Sequence, residues 1–141
     1  MSNEIRHSSH DLEAHVLGYV DNLRTALDKL DTARLAHIGD ILYRAYRNDK
    51  QVFVVGNGGS ASTASHIAAD LAKNTISAHL HRFRITSLTD NVATITALAN
   101  DIGYDSIFSE QLMNHIRPGD VLMVVTGSGK SPNVLKAMHY A

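Results

Sequence analysis

Two short runs rich in β-branched residues, each followed at once by a loop of glycine and serine and then by a helical pattern, constrain this fold most. The first run covers residues 51–55 and leads into residues 56–60; the second covers residues 120–125 and leads into residues 126–131. Such runs predict buried strands, and a more polar strand is predicted at residues 82–88. Because strands alternate with helices, the sequence predicts an α/β fold with a parallel sheet.

Helical patterns precede the first strand and fill the segments between strands. The first pattern covers residues 11–30, and its apolar stripe consists of Leu12, Val16, Val20, Leu23, Leu27 and Leu30. Asp31 or Thr32 can cap a second helix. The two helical patterns together predict a helical hairpin, and its apolar stripe is expected to cover a sheet or a partner chain. Further helices are predicted over residues 61–72, over 91–99 behind a cap at Asp90, over 106–116, and from Pro132 behind the N-cap Ser131.

The composition excludes several classes of function. A length of 141 residues favours one domain, and 44% hydrophobic with 19% charged residues fits a globular protein. The net charge of -1 argues against binding to duplex DNA, and the lack of cysteine excludes disulfides and thiolate metal sites. No apolar run reaches the roughly 18 residues of a membrane span. We therefore expect a cytoplasmic protein with no nucleic-acid or membrane partner.

The two glycine-serine loops predict anion binding. A glycine-rich turn between a parallel strand and a helix presents backbone N–H groups that lack helical partners, and the helix dipole favours a negative charge there. The loops also carry four hydroxyl groups, those of Ser60, Thr126, Ser128 and Ser131. The alternative is that both are ordinary strand-to-helix turns. Two such loops together favour a phosphate ligand.

The loops also discriminate between classes of phosphate ligand. Residues 56–61 fit the loosened dinucleotide pattern G-x-G-x-x-A, but Ser87 and Leu88 stand where the supporting acidic residue should close the second strand. Residues 129–131 resemble the end of a P-loop, but Val124 occupies the position of its first glycine. A free sugar phosphate therefore fits better than a nucleotide.

Two polar pairs are further candidates for function. His66 and Asp70 are four residues apart on the predicted helix after the first loop, so they lie on one helix face. Such a pair can share a divalent metal, act in acid–base chemistry, or simply be a solvated pair. Asn100 and Asp101 end a predicted helix before Gly103. They form either a helix C-cap and turn or a pair of polar groups directed at a ligand, and the pattern leaves both open.

Three segments in this order resemble the sugar isomerase (SIS) domain family, and within it the phosphoheptose (sedoheptulose 7-phosphate) isomerases. The segments are VFVVGNGGSASTASHIAADLAKNT, ITALANDIGYDSIFSEQL and RPGDVLMVVTGSGKSPNVLKAM. The resemblance implies a three-layer αβα fold with a five-stranded parallel sheet over residues 49–141, behind a helical arm over residues 1–48. Only three strands are found, so we expect either a stretch of a longer protein, lacking its C-terminal strands and helices, or a sheet edge and apolar faces left uncovered.

The resemblance also implies roles for individual residues. It assigns Asp70 as a zinc ligand and catalytic acid/base, His66 as a zinc ligand, and Asn100 with Asp101 as a substrate-contacting pair. The substrate loops comprise Asn57, Gly58, Gly59 and Ser60 in the first, and Thr126, Gly127, Ser128 and Ser131 in the second.

The implied reaction is an aldose–ketose isomerisation through a cis-enediol, from sedoheptulose 7-phosphate to D-glycero-manno-heptose 7-phosphate. The family implies one zinc ion per subunit and a homotetramer with the helical arm at its interfaces. Its second catalytic base, a histidine, and a further glutamine ligand lie on a C-terminal helix, and nothing in this sequence matches them. The alternative is a non-catalytic SIS module that binds a phosphosugar or a protein.

Four positions depart from the family pattern. Asp70 stands where glutamate is common, which shortens the reach of the carboxylate by about 1.5 Å. A displacement of that order can lower a catalytic rate about 10²-fold. Thr126 and Gly127 replace a serine and a threonine, which removes one hydroxyl at Gly127. Lys130 replaces an asparagine and adds a charge beside the phosphate loop. These changes leave a different phosphosugar open as an alternative to sedoheptulose 7-phosphate.

Overall fold

The computed structural model describes residues 9–141, so residues 1–8 of the predicted arm lie outside the described residues. Residue contacts divide the chain between Ile38 and Gly39, ten residues before the predicted boundary at 48. The first unit contains helix α1 (Ser9–Asp28) and the start of helix α2 (Thr32–Arg47). The Asp31 carboxylate accepts a hydrogen bond from the Arg34 N–H (3.0 Å), so Asp31 is the cap of α2.

The apolar stripe of α1 lies open. Val20 is partly buried, and the other five members of the stripe are 48–58% exposed. The predicted helix is confirmed, although it covers Ser9–Asp28 rather than residues 11–30. An exposed apolar helix face of this length is stabilised when it packs against another structural element or a partner chain.

The sheet has three parallel strands in the order β2-β1-β3 among the described residues. Strand β1 (Val52–Val55) lies in the centre and is fully buried. Strand β3 (Val121–Val124), predicted to be buried, is only partly buried because the described residues place no strand on its outer side. Strand β2 (Ile85–Ser87) is shorter than the predicted 82–88. Its backbone hydrogen bonds to β1 nevertheless extend from the Arg84 carbonyl, which accepts from the Val52 N–H (2.8 Å), to the Leu88 N–H, which donates to the Val54 carbonyl (2.9 Å).

Helices cover both faces of the sheet in the unit Gly39–Ala141. Helix α3 (Gly59–Asn74) and the end of α2 pack on one face, where Ala45 and Ala64 meet Val52 and Val54. The other face is covered by helices α4 (Val92–Asp101), α5 (Ile107–His115) and α6 (Pro132–Tyr140). The predicted three-layer αβα architecture is thus confirmed.

Two local features differ from the sequence predictions. Asn91, not Asp90, caps α4, since its side chain accepts from the Thr94 N–H at 3.0 Å. Asp90 instead accepts a hydrogen bond from the Ser65 hydroxyl of α3. A 3₁₀ turn at Tyr104–Ser106, which the sequence analysis did not predict, precedes α5. None of the described helices is long and apolar enough to cross a bilayer.

Candidate functional site

The two glycine-serine loops leave the sheet side by side. Strands β1 and β3 pair in parallel register up to Val55 and Val124, so the segments that follow both start at the same edge. We call residues 56–60 the first loop and residues 126–131 the second loop. Helix α3 begins at Gly59 and helix α6 at Pro132, so each loop ends at a helix N-terminus. Two helix N-termini therefore lie at the same edge of the sheet, and a helix N-terminus is a position that favours anion binding.

The first loop is tightly built. A Cβ atom on Gly56 would lie 2.5 Å from the carbonyl oxygen of Ser60, so only glycine allows this close approach. Gly58 has a φ of +54°, a conformation that glycine adopts without strain. The backbone closes the turn with hydrogen bonds from the Ser60 N–H to the Asn57 carbonyl (3.0 Å) and from the Ala61 N–H to the Gly58 carbonyl (2.9 Å).

A side-chain bridge joins the first loop to helix α6. Asn57 and Asn133 exchange two amide hydrogen bonds, each 2.9 Å long. Asn133 is 1% exposed, and its Oδ1 also accepts from the Val134 N–H (2.9 Å). The Tyr104 hydroxyl donates to Asn57 Oδ1 at 3.1 Å.

Asn133 and Tyr104 were absent from the sequence-predicted site. The available signal was an amide side chain four residues before Ala137, on the face of α6 that packs into the core. A polar group at such a position needs a buried partner.

The second loop is held mainly by its own hydroxyl groups. Thr126 Oγ1 accepts from the Gly129 N–H (3.1 Å), and Ser128 Oγ accepts from the Lys130 N–H (3.2 Å). Residues 126–130 are exposed. Ser131 occupies the N-cap position of α6 as predicted, without a side-chain capping bond among the described residues. A hydroxyl that accepts a hydrogen bond keeps its own O–H free to donate, so these groups suit a phosphate oxygen.

The Asn100–Asp101 pair lies at the end of α4. The Asn100 amide donates to the Asp101 carboxylate (2.7 Å), and both residues are exposed. The chain then turns through Gly103, whose φ is +128°, and Tyr104 reaches the first loop three residues after Asp101. The helix end and turn of the sequence analysis are therefore present. The contact of this pair with a ligand stays a prediction.

His66 and Asp70 lie on one face of α3, as predicted. His66 Nε2 is 3.0 Å from Asp70 Oδ2, and Asn74 donates to Asp70 Oδ1 at 3.2 Å. The two side chains are 78% and 52% exposed. A structural or catalytic zinc site needs at least three protein ligands, and residues 9–141 contain no group of three or more candidate ligands. The pair alone does not complete a zinc site, so zinc binding stays a prediction.

A groove of about 610 Å³ lies elsewhere, beside β1, β2 and α5. None of the predicted site residues lines it. Its polar lining includes Lys50, Arg84, Gln111, Asn114, His115 and Arg117. The candidate site is thus an open surface formed by two loops, rather than this groove.

A family model described as SIS domain matches residues 17–141. The chain belongs to the SIS domain family. The match begins inside α1, so the SIS domain as a family unit includes much of the predicted helical arm. It covers every predicted site residue, from the first loop to the start of α6.

Curated relatives of this SIS domain chain are named phosphoheptose isomerase. The relative from Chlorobaculum parvum is 36% identical over 124 residues, which cover 87% of this chain and 59% of the relative. The relative from Rhodospirillum rubrum is 41% identical over 107 residues, which cover 76% and 56%. The chain therefore spans about three-fifths of the length of the curated relatives it matches.

Solved structures agree with the fold. A phosphoheptose isomerase from Neisseria gonorrhoeae superposes with a TM-score of 0.80 at 29% identity, covering 93% of this chain and 67% of that one. A phosphoheptose isomerase from Francisella tularensis gives a TM-score of 0.83 at 29% identity, covering 95% and 70%. The predicted SIS-type αβα fold is confirmed by both.

Proposed function

We propose that this chain belongs to a sugar-phosphate isomerase that converts sedoheptulose 7-phosphate into D-glycero-manno-heptose 7-phosphate. The observation that carries the proposal is the pair of glycine-serine loops at one sheet edge, bridged by Asn57 and Asn133. The names of the relatives and of the structural neighbours support the choice of substrate.

In this proposal the second loop binds the phosphate group. The hydroxyl groups of Thr126, Ser128 and Ser131 donate to phosphate oxygens, and the N-terminus of α6 adds its dipole. The space beside Gly127 is open, since a Cβ there would meet no atom within 4 Å among the described residues. The first loop, with Gly58, Gly59 and Ser60, then holds the sugar portion beside it.

Asp70 supplies the acid–base chemistry in this proposal. Its carboxylate removes the proton from the hydroxyl-bearing carbon beside the sugar carbonyl, and the carbonyl oxygen takes up a proton, which gives an enediol. The carboxyl group then returns its proton to the neighbouring carbon while the other oxygen loses its hydroxyl proton. His66, 3.0 Å away, orients the carboxylate. Asn100 and Asp101 are proposed to hydrogen-bond substrate hydroxyl groups and so hold the carbon chain for proton transfer.

Zinc binding, assembly and location complete the proposal. His66 and Asp70 would supply two zinc ligands, and the described residues bring no third candidate ligand together with them. Bound zinc would polarise the carbonyl oxygen. We also propose a homotetramer in which the open stripe of α1 is an interface, because its apolar side chains are about half exposed. Gel filtration with light scattering tests the tetramer, and cell fractionation tests a cytoplasmic location.

The decisive experiment is incubation with sedoheptulose 7-phosphate, with and without zinc, followed by NMR of the products. We expect turnover that falls at least about 10²-fold in Asp70→Asn, because the amide cannot accept the proton. Asp28→Asn, the same change on α1, is the matched control and should keep full activity. Binding of the substrate without any turnover would contradict the isomerase proposal for this chain.

One observation favours the second candidate, a non-catalytic phosphosugar-binding module. The described residues contain only the His66–Asp70 pair where a metal-dependent isomerase would need further ligands. Under this candidate, neither the wild type nor Asp70→Asn would form product. Asp70→Asn would also bind sedoheptulose 7-phosphate with the same affinity as the wild type. The same NMR experiment therefore separates the two.

A further inference from the structure

The amide pair of Asn57 and Asn133 links segments that are 76 residues apart in the sequence. Asn57 lies in the first loop, and Asn133 lies in the first turn of α6, directly after the second loop. The pair connects the first loop to the first turn of α6, which directly follows the second loop, beyond the ends of β1 and β3 at Val55 and Val124.

The hydrogen-bonding capacity of the pair is almost entirely used within the protein. Asn57 Oδ1 accepts from Asn133 and from the Tyr104 hydroxyl. Asn133 Oδ1 accepts from Asn57 and from the Val134 N–H. A carbonyl oxygen has two lone pairs, so both acceptors are saturated, and each amide nitrogen keeps one spare N–H. The Asn57 side chain therefore holds the bridge through its oxygen and one N–H, and its other N–H can donate to a ligand.

A second contact ties the same elements together. Lys136, one turn further along α6, donates to the Ser106 hydroxyl (2.6 Å) and lies 3.7 Å from the Asp105 carboxylate. Ser106 and Tyr104 belong to the same 3₁₀ turn. This turn thus contacts α6 through Lys136 and the first loop through Tyr104. The turn, the first loop and α6 are therefore connected in pairs, with the Asn57–Asn133 bridge as the third connection.

We propose that Asn133 is a positioning residue that fixes the separation of the two ligand loops through Asn57, with Tyr104 holding the pair in register. The phosphate-binding part of this inference rests on the proposed function, whereas the fixed separation of the loops does not. The bridge lets the phosphate and sugar subsites form before a ligand arrives, which lowers the ordering cost of binding.

The test is a double-mutant cycle on the full chain, with inorganic phosphate as the probe. Asn133→Leu and Asn57→Leu each remove one side of the bridge and keep the branched shape of the side chain. We expect either variant to weaken phosphate binding about tenfold, and the double variant to be no weaker than either single one. The double variant should also regain thermal stability, because no buried amide then lacks its partner.

Asn114→Leu, an exposed asparagine on α5, is the matched control and should bind phosphate like the wild type. Tyr104→Phe removes only an exposed hydroxyl, so it keeps the inference testable if a leucine variant fails to fold. We expect it to weaken phosphate binding about two- to threefold. Losses that multiply in the double variant, or wild-type binding in a folded Asn133→Leu, would overturn the positioning role.

A readout without ligand separates this inference from the proposed function. Backbone ¹⁵N order parameters of both loops should fall in Asn133→Leu and stay unchanged in Asn114→Leu, while those of β1 remain high in both. If the wild type binds no phosphate but the loops loosen as expected, the proposed function fails and the bridge stands. If both loops stay rigid in Asn133→Leu, the bridge has no positioning role.

Discussion

The two loops of the candidate site are both rich in glycine and serine, but different contacts stabilise them. The first loop is fixed by tertiary structure: Gly56 packs against the Ser60 backbone, and Asn57 is bridged to buried Asn133. The second loop is exposed and is shaped by its own hydroxyl groups, those of Thr126 and Ser128. The first is thus a rigid platform, and the second is a surface that can accept substitutions.

This difference explains where the chain departs from the family pattern of the loops. The three loop departures that the resemblance implies, at Thr126, Gly127 and Lys130, fall in the second loop, where residues 126–130 are exposed. A change there alters the chemistry offered to a ligand with little effect on the fold. A change in the first loop disturbs the packing of α3 on the sheet.

The largest expected effect comes from Gly56→Ala. The new Cβ would lie 2.5 Å from the Ser60 carbonyl oxygen and 2.7 Å from its carbon, both backbone atoms, so α3 must shift. We expect the free energy of unfolding to fall by about 1–3 kcal/mol, as for other overpacked sites. Urea denaturation followed by circular dichroism measures this change.

Gly127→Ala in the second loop is the matched control for Gly56→Ala. A Cβ there meets no atom within 4 Å in the described part of the chain, so we expect a change within about 0.5 kcal/mol. Equal destabilisation by the two variants would remove the distinction between a rigid and an adaptable loop.

The fold was largely predictable because its strands are strongly patterned. The apolar runs around Val54 and Met123 predicted two strands, and the glycine-serine loops predicted where each of these strands ends. The extent of β2 was not predictable, because it depends on which backbone groups bond to β1, and only those from the Arg84 carbonyl to the Leu88 N–H do so. Likewise Asp90 and Asn91 are both good caps, and the contact of Asp90 with Ser65 is tertiary.

The candidate site was only partly predictable. Local sequence identified both loops and the His66–Asp70 pair, because loop composition and helical spacing are local properties. Asn133 escaped since its partner is 76 residues away, and a polar residue after proline in a first helical turn looks like ordinary capping. Tyr104 escaped because its position depends on the turn at Gly103.

A smaller effect is expected from Thr126→Val in the second loop. The change keeps the shape but removes the hydroxyl that accepts from the Gly129 N–H and is proposed to donate to phosphate. Because the loop is exposed, water replaces the lost internal bond and the melting temperature should hardly move. We expect the affinity for sedoheptulose 7-phosphate to fall about two- to tenfold, measured by calorimetry. An unchanged affinity would place the phosphate elsewhere.

The smallest effect is expected from Lys130→Asn, which restores the residue common in the family. Lys130 is exposed in the second loop, so its charge acts on a bound phosphate through water, where two unit charges 4 Å apart interact by about 1 kcal/mol. We therefore expect binding about two- to fivefold weaker at low salt, and a difference that vanishes at about 1 M salt because the Debye length is then about 3 Å. Lys73→Asn, at the far end of α3, is the matched control and should change affinity at neither salt concentration. A loss that persists at high salt would mean that Lys130 contacts the ligand directly, and the second loop would then be a specific binding element rather than an adaptable one.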